Sequence, residues 1–382
     1  MALSKRSGRP RPWLARFRGP DGHERAKAFR RKVDAERWLA SQEVDRLRGQ
    51  WTDPRLAKTT FAEWVPTYVA SRVHLAPSTR AAADSLMRNH VLPYFGPRAL
   101  GSVTQTDVQA FVSELQAAGL APSTIRQCYL LASGVFSSAL DSDLIARTPC
   151  RGIHLPKGEQ EEMRFLTTEE VADLAAAIDS RYRSLVLTAT YSGARFGELA
   201  ALQVSRLDLL RGTLTVAQQL TEVRGRTVIR PPKTAASRRQ IALPRFLGQV
   251  LEEHLGAHPP VDGFVFTSPQ GETLRRTNFR RRTFVPAVKA SVGEPMRFHD
   301  LRHTHVAMLI AQGEHPKVIQ ARLGHSSIQV TLDLYGHLFE GLDEAAAVRL
   351  DATFAANRAD QTRTKRHQTV LKLSHQASQN AL

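Results

Sequence analysis

Two short runs near the amino terminus alternate apolar and polar positions, WLARFR at 13–18 and RAKAFR at 25–30. The GPDGHE between them carries an Asp-Gly turn signal, so the runs read as paired strands. The period then lengthens to three and four over KVDAERWLASQEVDRL, where Val33, Trp38, Leu39 and Val44 anchor a helix. So small a sheet-plus-helix module has few aliphatic residues, and it is expected to lean on a partner.

Helical spacing continues from residue 60 to 156 in four stretches: TTFAEWVPTYVASR, PSTRAAADSLMRNHVLPYF, TQTDVQAFVSELQAAG and APSTIRQCYLLASGVFSSALDSD. Pro77 and Pro122 each precede Ser-Thr at a helix start, and Gly96, Gly101 and Gly119 mark breaks. A four-helix domain over 59–156 is expected. The polar, Gly- and Pro-bearing LPKGEQEEM then reads as an interdomain linker, set at 157–163.

A third block runs from 164 to 352. It opens with Thr167 and Glu170 at capping-box spacing ahead of a helix. Alternating β-branched residues around Gly225, within 212–243, predict a small antiparallel sheet. Helices resume near Pro244, and a last one is expected over GLDEAAAVRLDATF. Residues 353–382 are Gln, Thr, Ser, Lys and Arg without periodicity and read as a flexible basic tail.

Composition narrows the function. The 382 residues are 42% hydrophobic, enough for real cores, yet no run of about 18 apolar residues would span a bilayer, so no membrane role is expected. MALSKRSGRPRPW lacks the apolar stretch of a secretory signal. Cys128 and Cys150 are the only cysteines, which suits a reducing cytoplasm. Of the net charge of +17, residues 1–58 hold +9. Positive charge so concentrated favours a polyanion, because each phosphate neutralised releases counterions, and nucleic acid is the expected partner.

HDLRHTH at 299–305 raises the sharpest chemical question. His299 and His303 have the spacing of two zinc ligands on one helical face, but Arg302 would set a guanidinium beside the metal. Asp300 also stands where a zinc hydrolase wants glutamate. The cluster is better suited to a phosphate, with the arginine as a bidentate donor and histidine as a second donor or proton shuttle. Elsewhere Arg195 follows a glycine break at a helix opening, Lys233 stands in a turn between strands, Gly324-His325 ends a helix, and Tyr335 follows ten residues later. Each is weak alone; their order carries weight.

The stretches SGARFGELAAL, PKTAASRR, HDLRHTH, LGHSSIQVT and LYGHL together resemble the catalytic domain of the tyrosine recombinases, the phage-integrase family. The resemblance covers residues 60–350, and residues 1–58 resemble the arm-site-binding module of phage-type integrases more weakly. It implies a multidomain, mainly α protein with small β elements. These are a three-stranded sheet plus helix (1–58), an all-α core-binding domain, and a mixed but mostly α catalytic domain. It also implies that Tyr335 attacks a DNA phosphate to leave a 3′-phosphotyrosine, while Arg195 and Arg302 clamp the non-bridging oxygens. His325 would donate a further hydrogen bond, His299 would help manage the tyrosine proton, and Lys233 would protonate the departing 5′ oxygen. Asp300 would orient its neighbours, and His303 and His305 would be structural. No metal, ATP or other cofactor is implied.

The partners implied are double-stranded DNA attachment sites, a homotetramer on DNA, and an accessory DNA-bending or excision-directing protein. The helix near 341–354 is a plausible dock for a neighbouring protomer. A rival keeps the DNA and drops the chemistry: a catalytically silent, site-specific DNA-binding regulator on the same scaffold.

Overall fold

The structure, a computed structural model, describes residues 1–19, 22–47, 56–158, 163–223, 225–232 and 235–339, with 347–348, 350–352 and 354–355. Most of the linker, of the helix expected at 341–354 and of the tail beyond it lies outside these residues. The chain divides into two compact units, Met1–Glu161 and Glu162–Leu382. Its mainly helical character with small sheets is as expected.

In the first unit the two alternating runs become β2 (Trp13–Arg18) and β3 (Glu24–Phe29), paired antiparallel with Ala15 opposite Lys27. A third strand, β1 (Ala2–Lys5), adds to the free edge of β2. Its ALSK has almost no apolar pattern because backbone pairing, rather than burial, holds it there. Helix α1 (Lys32–Leu47) lies across β2, whose Leu14, Ala15 and Phe17 are buried.

The four helical stretches form as their caps dictate. Thr60 with Glu63 and Thr104 with Asp107 make reciprocal capping boxes for α2 (Phe61–Ser71) and α5 (Gln105–Ala117). Prolines stand at the first position of α3 (Pro77–Leu86) and α6 (Pro122–Asp141), where a missing N–H costs nothing. The second stretch continues beyond α3 through a π turn (Met87–Val91) into α4 (Leu92–Phe95). Leu92 N–H reaches back to the Met87 carbonyl, and the wider turn makes room for the ring of Pro93. Phe95 packs between Phe61, Phe111 and Phe136, with ring centroids 4.8–5.7 Å apart, at the centre of this core.

The second unit opens with α7 (Thr168–Ala177), capped by Thr167 and Glu170, followed by the buried α8 (Ser180–Ser192) and the short α9 (Phe196–Ala200). The single sheet expected over 212–243 is two. Strands β4 (Leu207–Asp208), β5 (Thr213–Val216) and β8 (Arg239–Ala242) form one sheet, in that order. Strands β6 (Gln219–Val223) and β7 (Arg226–Arg230) form a separate hairpin. Gln218, between them, donates to the Ala201 carbonyl at 2.8 Å and interrupts the run. Helices α10 (Arg245–Ala257), α11 (Arg276–Phe279) and α12 (Val285–Ser291) follow. A second π turn (Arg280–Phe284) precedes Pro286 for the same steric reason.

The last described helices are α13 (Asp300–Ala311), α14 (Pro316–Leu323) and α15 (Ile328–Tyr335). Val306, Ile310, Ile319, Leu323 and Tyr335 make a small core of their own. Among the described residues no helix is long and apolar enough to cross a membrane.

Two glycines share a left-handed backbone but not an environment. Gly193 (φ 67°) ends α8, and a Cβ there would lie 2.6 Å from His305 Cδ2; Gly263 (φ 76°) faces open space. Gly263→Ala is expected to cost about 1 kcal/mol, the dihedral strain alone. Gly193→Ala adds a steric clash of about 1–3 kcal/mol. Urea unfolding of both variants measures the difference.

Candidate active site

Arg302 sits in the first turn of α13, 2% exposed, and donates from Nη1 to the Gly193 carbonyl (2.5 Å) and from Nη2 to the Leu323 carbonyl (2.7 Å). Those carbonyls stand where α8 and α14 stop, each before or at a left-handed glycine, Gly193 and Gly324. Helix C-termini present unpaired carbonyls with partial negative charge, so they suit a cation. Burial lowers Arg302 to about 9, helped by Arg195 and Arg239 and opposed by Glu198 and Tyr335.

Arg195 is the N-cap of α9, half-buried, with Nη1 2.9 Å from Oε1 of Glu198. Glu198 closes a capping box back onto the Arg195 N–H at 2.9 Å. It also receives Arg239, with Nη2 at 2.8 Å from Oε2 and Nη1 at 3.2 Å from Oε1. Burial pushes the Glu198 carboxyl up, but Arg239 and then Arg195 outweigh it and hold the group below its ordinary value. Two arginines thus bond this one carboxylate and a third, Arg302, lies within its electrostatic reach, leaving a positive excess that an anion would neutralise.

His325 follows Gly324, its Nδ1 3.0 Å from the Thr331 hydroxyl, ahead of α15, whose N-cap is Ser327. Burial and the three arginines bring its imidazole to about 4. His299 precedes α13 with part of its ring open to solvent. Burial of the rest, then His303, Arg302 and Arg195, bring it also to about 4. Both are neutral at pH 7, able to donate a hydrogen bond without adding charge. Asp300 is engaged by Arg297, which donates from its N–H at 2.6 Å and from its guanidinium.

Tyr335 ends α15 with 1% exposure, and its hydroxyl is 2.7 Å from Nδ1 of His303. Burial pushes the phenol up to about 12 against the pull of Arg302 and Arg195. His303 was expected to be merely structural, yet it touches the tyrosine, while the His299 ring packs edge-on against it at 4.9 Å. His305 lies under Gly193, beside Arg322. Among the described residues no group of three or more His, Cys, Asp or Glu is placed to hold a metal ion. The structure therefore brings Arg195, His299, Arg302, His325 and Tyr335 into one neighbourhood; Lys233 lies outside the described residues.

The chain has counterparts among known proteins. The Phage integrase family matches over residues 164–341, and the Phage integrase, N-terminal SAM-like domain over residues 60–116. The chain belongs to the phage integrase family of tyrosine recombinases. It is 27% identical over 338 residues to the ICEBs1 integrase of Bacillus subtilis (strain 168), covering 84% of this chain and 91% of that one. Its fold is similar to that of the Tn1549 transposon integrase in complex with a circular intermediate DNA. The TM-score there is 0.67 at 22% identity, over 76% of this chain and 99% of that one. It is also similar to a lambda integrase tetramer bound to a Holliday junction, with a TM-score of 0.55 at 19% identity over 85% and 92% of the two chains.

For this tyrosine recombinase, sequence reasoning missed Glu198, Arg239 and the contact made by His303. The spacing Arg195-x-x-Glu198 at a helix opening was a readable signal, as was the alternation that puts Arg239 on the same inward side of β8 as Ile241. Replacing Glu198 with alanine leaves the cations facing one another and is expected to destabilise the second unit by about 3–5 kcal/mol. Chemical denaturation checks this, with added inorganic phosphate recovering part of the loss.

The histidines give a pH signature. A group whose folded pKa lies below its unfolded value, about 6.5 for histidine, contributes stability that is full above 6.5 and is lost as pH falls toward the folded value. Stability is therefore expected to fall between pH 6.5 and about 4 through His299 and His325. His325→Asn is expected to flatten that slope in thermal melts.

Proposed function

We propose that this recombinase cuts and rejoins double-stranded DNA at specific attachment sites through a 3′-phosphotyrosine on Tyr335 and a Holliday junction. No metal, ATP or other cofactor takes part, and the outcome is integration and excision of a phage or mobile element. The observation that carries this reading is a cluster of three arginines, Arg195 and Arg239 paired with Glu198 and Arg302 within its electrostatic reach, with Tyr335 in turn within reach of Arg195 and Arg302. Arginine supplies the positive charge that many nucleases draw from metal ions, and phosphoryl transfer asks mainly for positioning and preorganised charge.

In the proposed step Tyr335 Oη attacks phosphorus, the P–O5′ bond breaks, and Lys233 protonates the leaving 5′ oxygen. Arg195 and Arg302 hold the non-bridging oxygens, His325 donates a further hydrogen bond, and His299 assists with the tyrosine proton. The phosphotyrosine conserves the bond energy for religation. Residues 1–58 bind arm sites and residues 59–156 the core site, in the cytoplasm. The active assembly is a homotetramer on DNA, as in the lambda integrase complex with a Holliday junction. The segment 341–354 docks on a neighbouring protomer, and an accessory DNA-bending or excision-directing protein sets direction.

The test offers wild type, Tyr335→Phe and Arg195→Ala nicked duplexes tiled across the DNA flanking the gene, in EDTA without ATP. Wild type is expected to form an SDS-resistant adduct on a 3′ phosphate, Tyr335→Phe none, and Arg195→Ala one formed about 10²–10³-fold more slowly. Equal sequence-specific binding by all three with no adduct would favour the regulator instead.

A further inference from the structure

The contact between Tyr335 and His303 has no part in the roles assigned above. Val306, Ile310, Ile319 and Leu323 close around the tyrosine, and within this apolar setting its hydroxyl meets one ring nitrogen, Nδ1 of His303, at 2.7 Å. The spacing is that of a strong hydrogen bond to a poised acceptor. His299, the group expected to handle the tyrosine proton, packs against the His303 ring and so stands one step behind it.

Resting on the strand-transfer reading above, we propose that His303 is the base that takes the Tyr335 proton directly. As the bond from Oη to phosphorus forms, the Oη–H bond breaks and its proton passes to Nδ1 of His303. The P–O5′ bond breaks, and O5′ leaves with the proton of Lys233. On religation the 5′ hydroxyl attacks the phosphotyrosine and returns a proton to Lys233, while His303 gives its own back to Oη. No proton is gained or lost over the cycle.

The surroundings of His303 fit both halves of this exchange. Burial keeps the imidazole neutral before reaction, opposed by Asp300 and reinforced by Arg297 and Arg302. Asp300 is the charge that steadies the imidazolium once it forms. The groups facing the ring are Asp300 and Arg302 on α13, Arg297 and His299 just before it, Tyr335 on α15, and His325 ahead of that helix. A neutral ring accepts at Nδ1 only when its hydrogen sits on Nε2, which makes the tautomer an observable consequence.

Two measurements test the assignment. In ¹⁵N-histidine NMR of the DNA-free chain near pH 7.5, the signal lost in His303→Gln is expected to belong to the Nε2–H tautomer. An Nδ1–H tautomer or an imidazolium there would overturn the proposal. In the second, His303→Gln and His303→Ala are given the nicked duplex that wild type cleaves. Both are expected to bind it as wild type does but to form adduct about 10²–10⁴-fold more slowly, at a rate that climbs with pH. Added imidazole is expected to restore His303→Ala in proportion to its free base. Wild-type cleavage by His303→Gln overturns this assignment alone. So does a loss in His303→Ala that neither pH nor imidazole changes, since that reflects packing. Absence of a Tyr335 adduct in wild type would instead remove the strand-transfer reading, and this proposal with it.

Discussion

A buried guanidinium needs acceptors, and Arg302 takes them from the carbonyls where two helices stop. Because α8 ends at Gly193 and α14 at Leu323, one side chain from α13 ties three helices together. The tie constrains its surroundings. Position 193 must be glycine both for its left-handed backbone and because His305 fills the space a Cβ would take. Gly324 turns the chain toward His325, and a Cβ there would lie 3.2 Å from the Arg239 side chain. The partial charges of helix ends do here what a counter-ion would otherwise have to do.

Around that anchor the electrostatics are unbalanced by construction. Glu198 holds Arg195 and Arg239 with both of its oxygens, and it is also the carboxylate that offsets Arg302. With the buried Asp300 taken up by Arg297, the Glu198 carboxylate alone faces these three arginines, and the site keeps a positive excess. The neighbouring histidines are held neutral by burial and by those same cations, so they contribute hydrogen bonds without deepening the excess.

The tyrosine illustrates the opposite economy. Its phenol is pushed up and the imidazole that touches it is pushed down, so the proton rests on oxygen in the DNA-free chain. Both shifts come first from burial, which disfavours charge on either partner.

Much of this was legible in the chain itself. Capping pairs such as Thr167 with Glu170, the prolines at 77 and 122, and the three-and-four spacing placed the helices, because these features act within a few residues of one another. The ordered set Arg195, Lys233, His299, Arg302, His325 and Tyr335 pointed to the phage integrase family for a similar reason, since each residue sits in a recognisable local frame. Other features required the tertiary structure. The partition of the β region into a sheet and a separate hairpin turned on Gln218 reaching the distant Ala201 carbonyl. The bonding of Glu198 to Arg239 spans 41 residues, and that of His303 to Tyr335 spans 32. Local pattern determines which elements form and which family they resemble. Which imidazole meets the tyrosine and which carboxylate holds the arginines depend on contacts between elements far apart in sequence, and no local period encodes them.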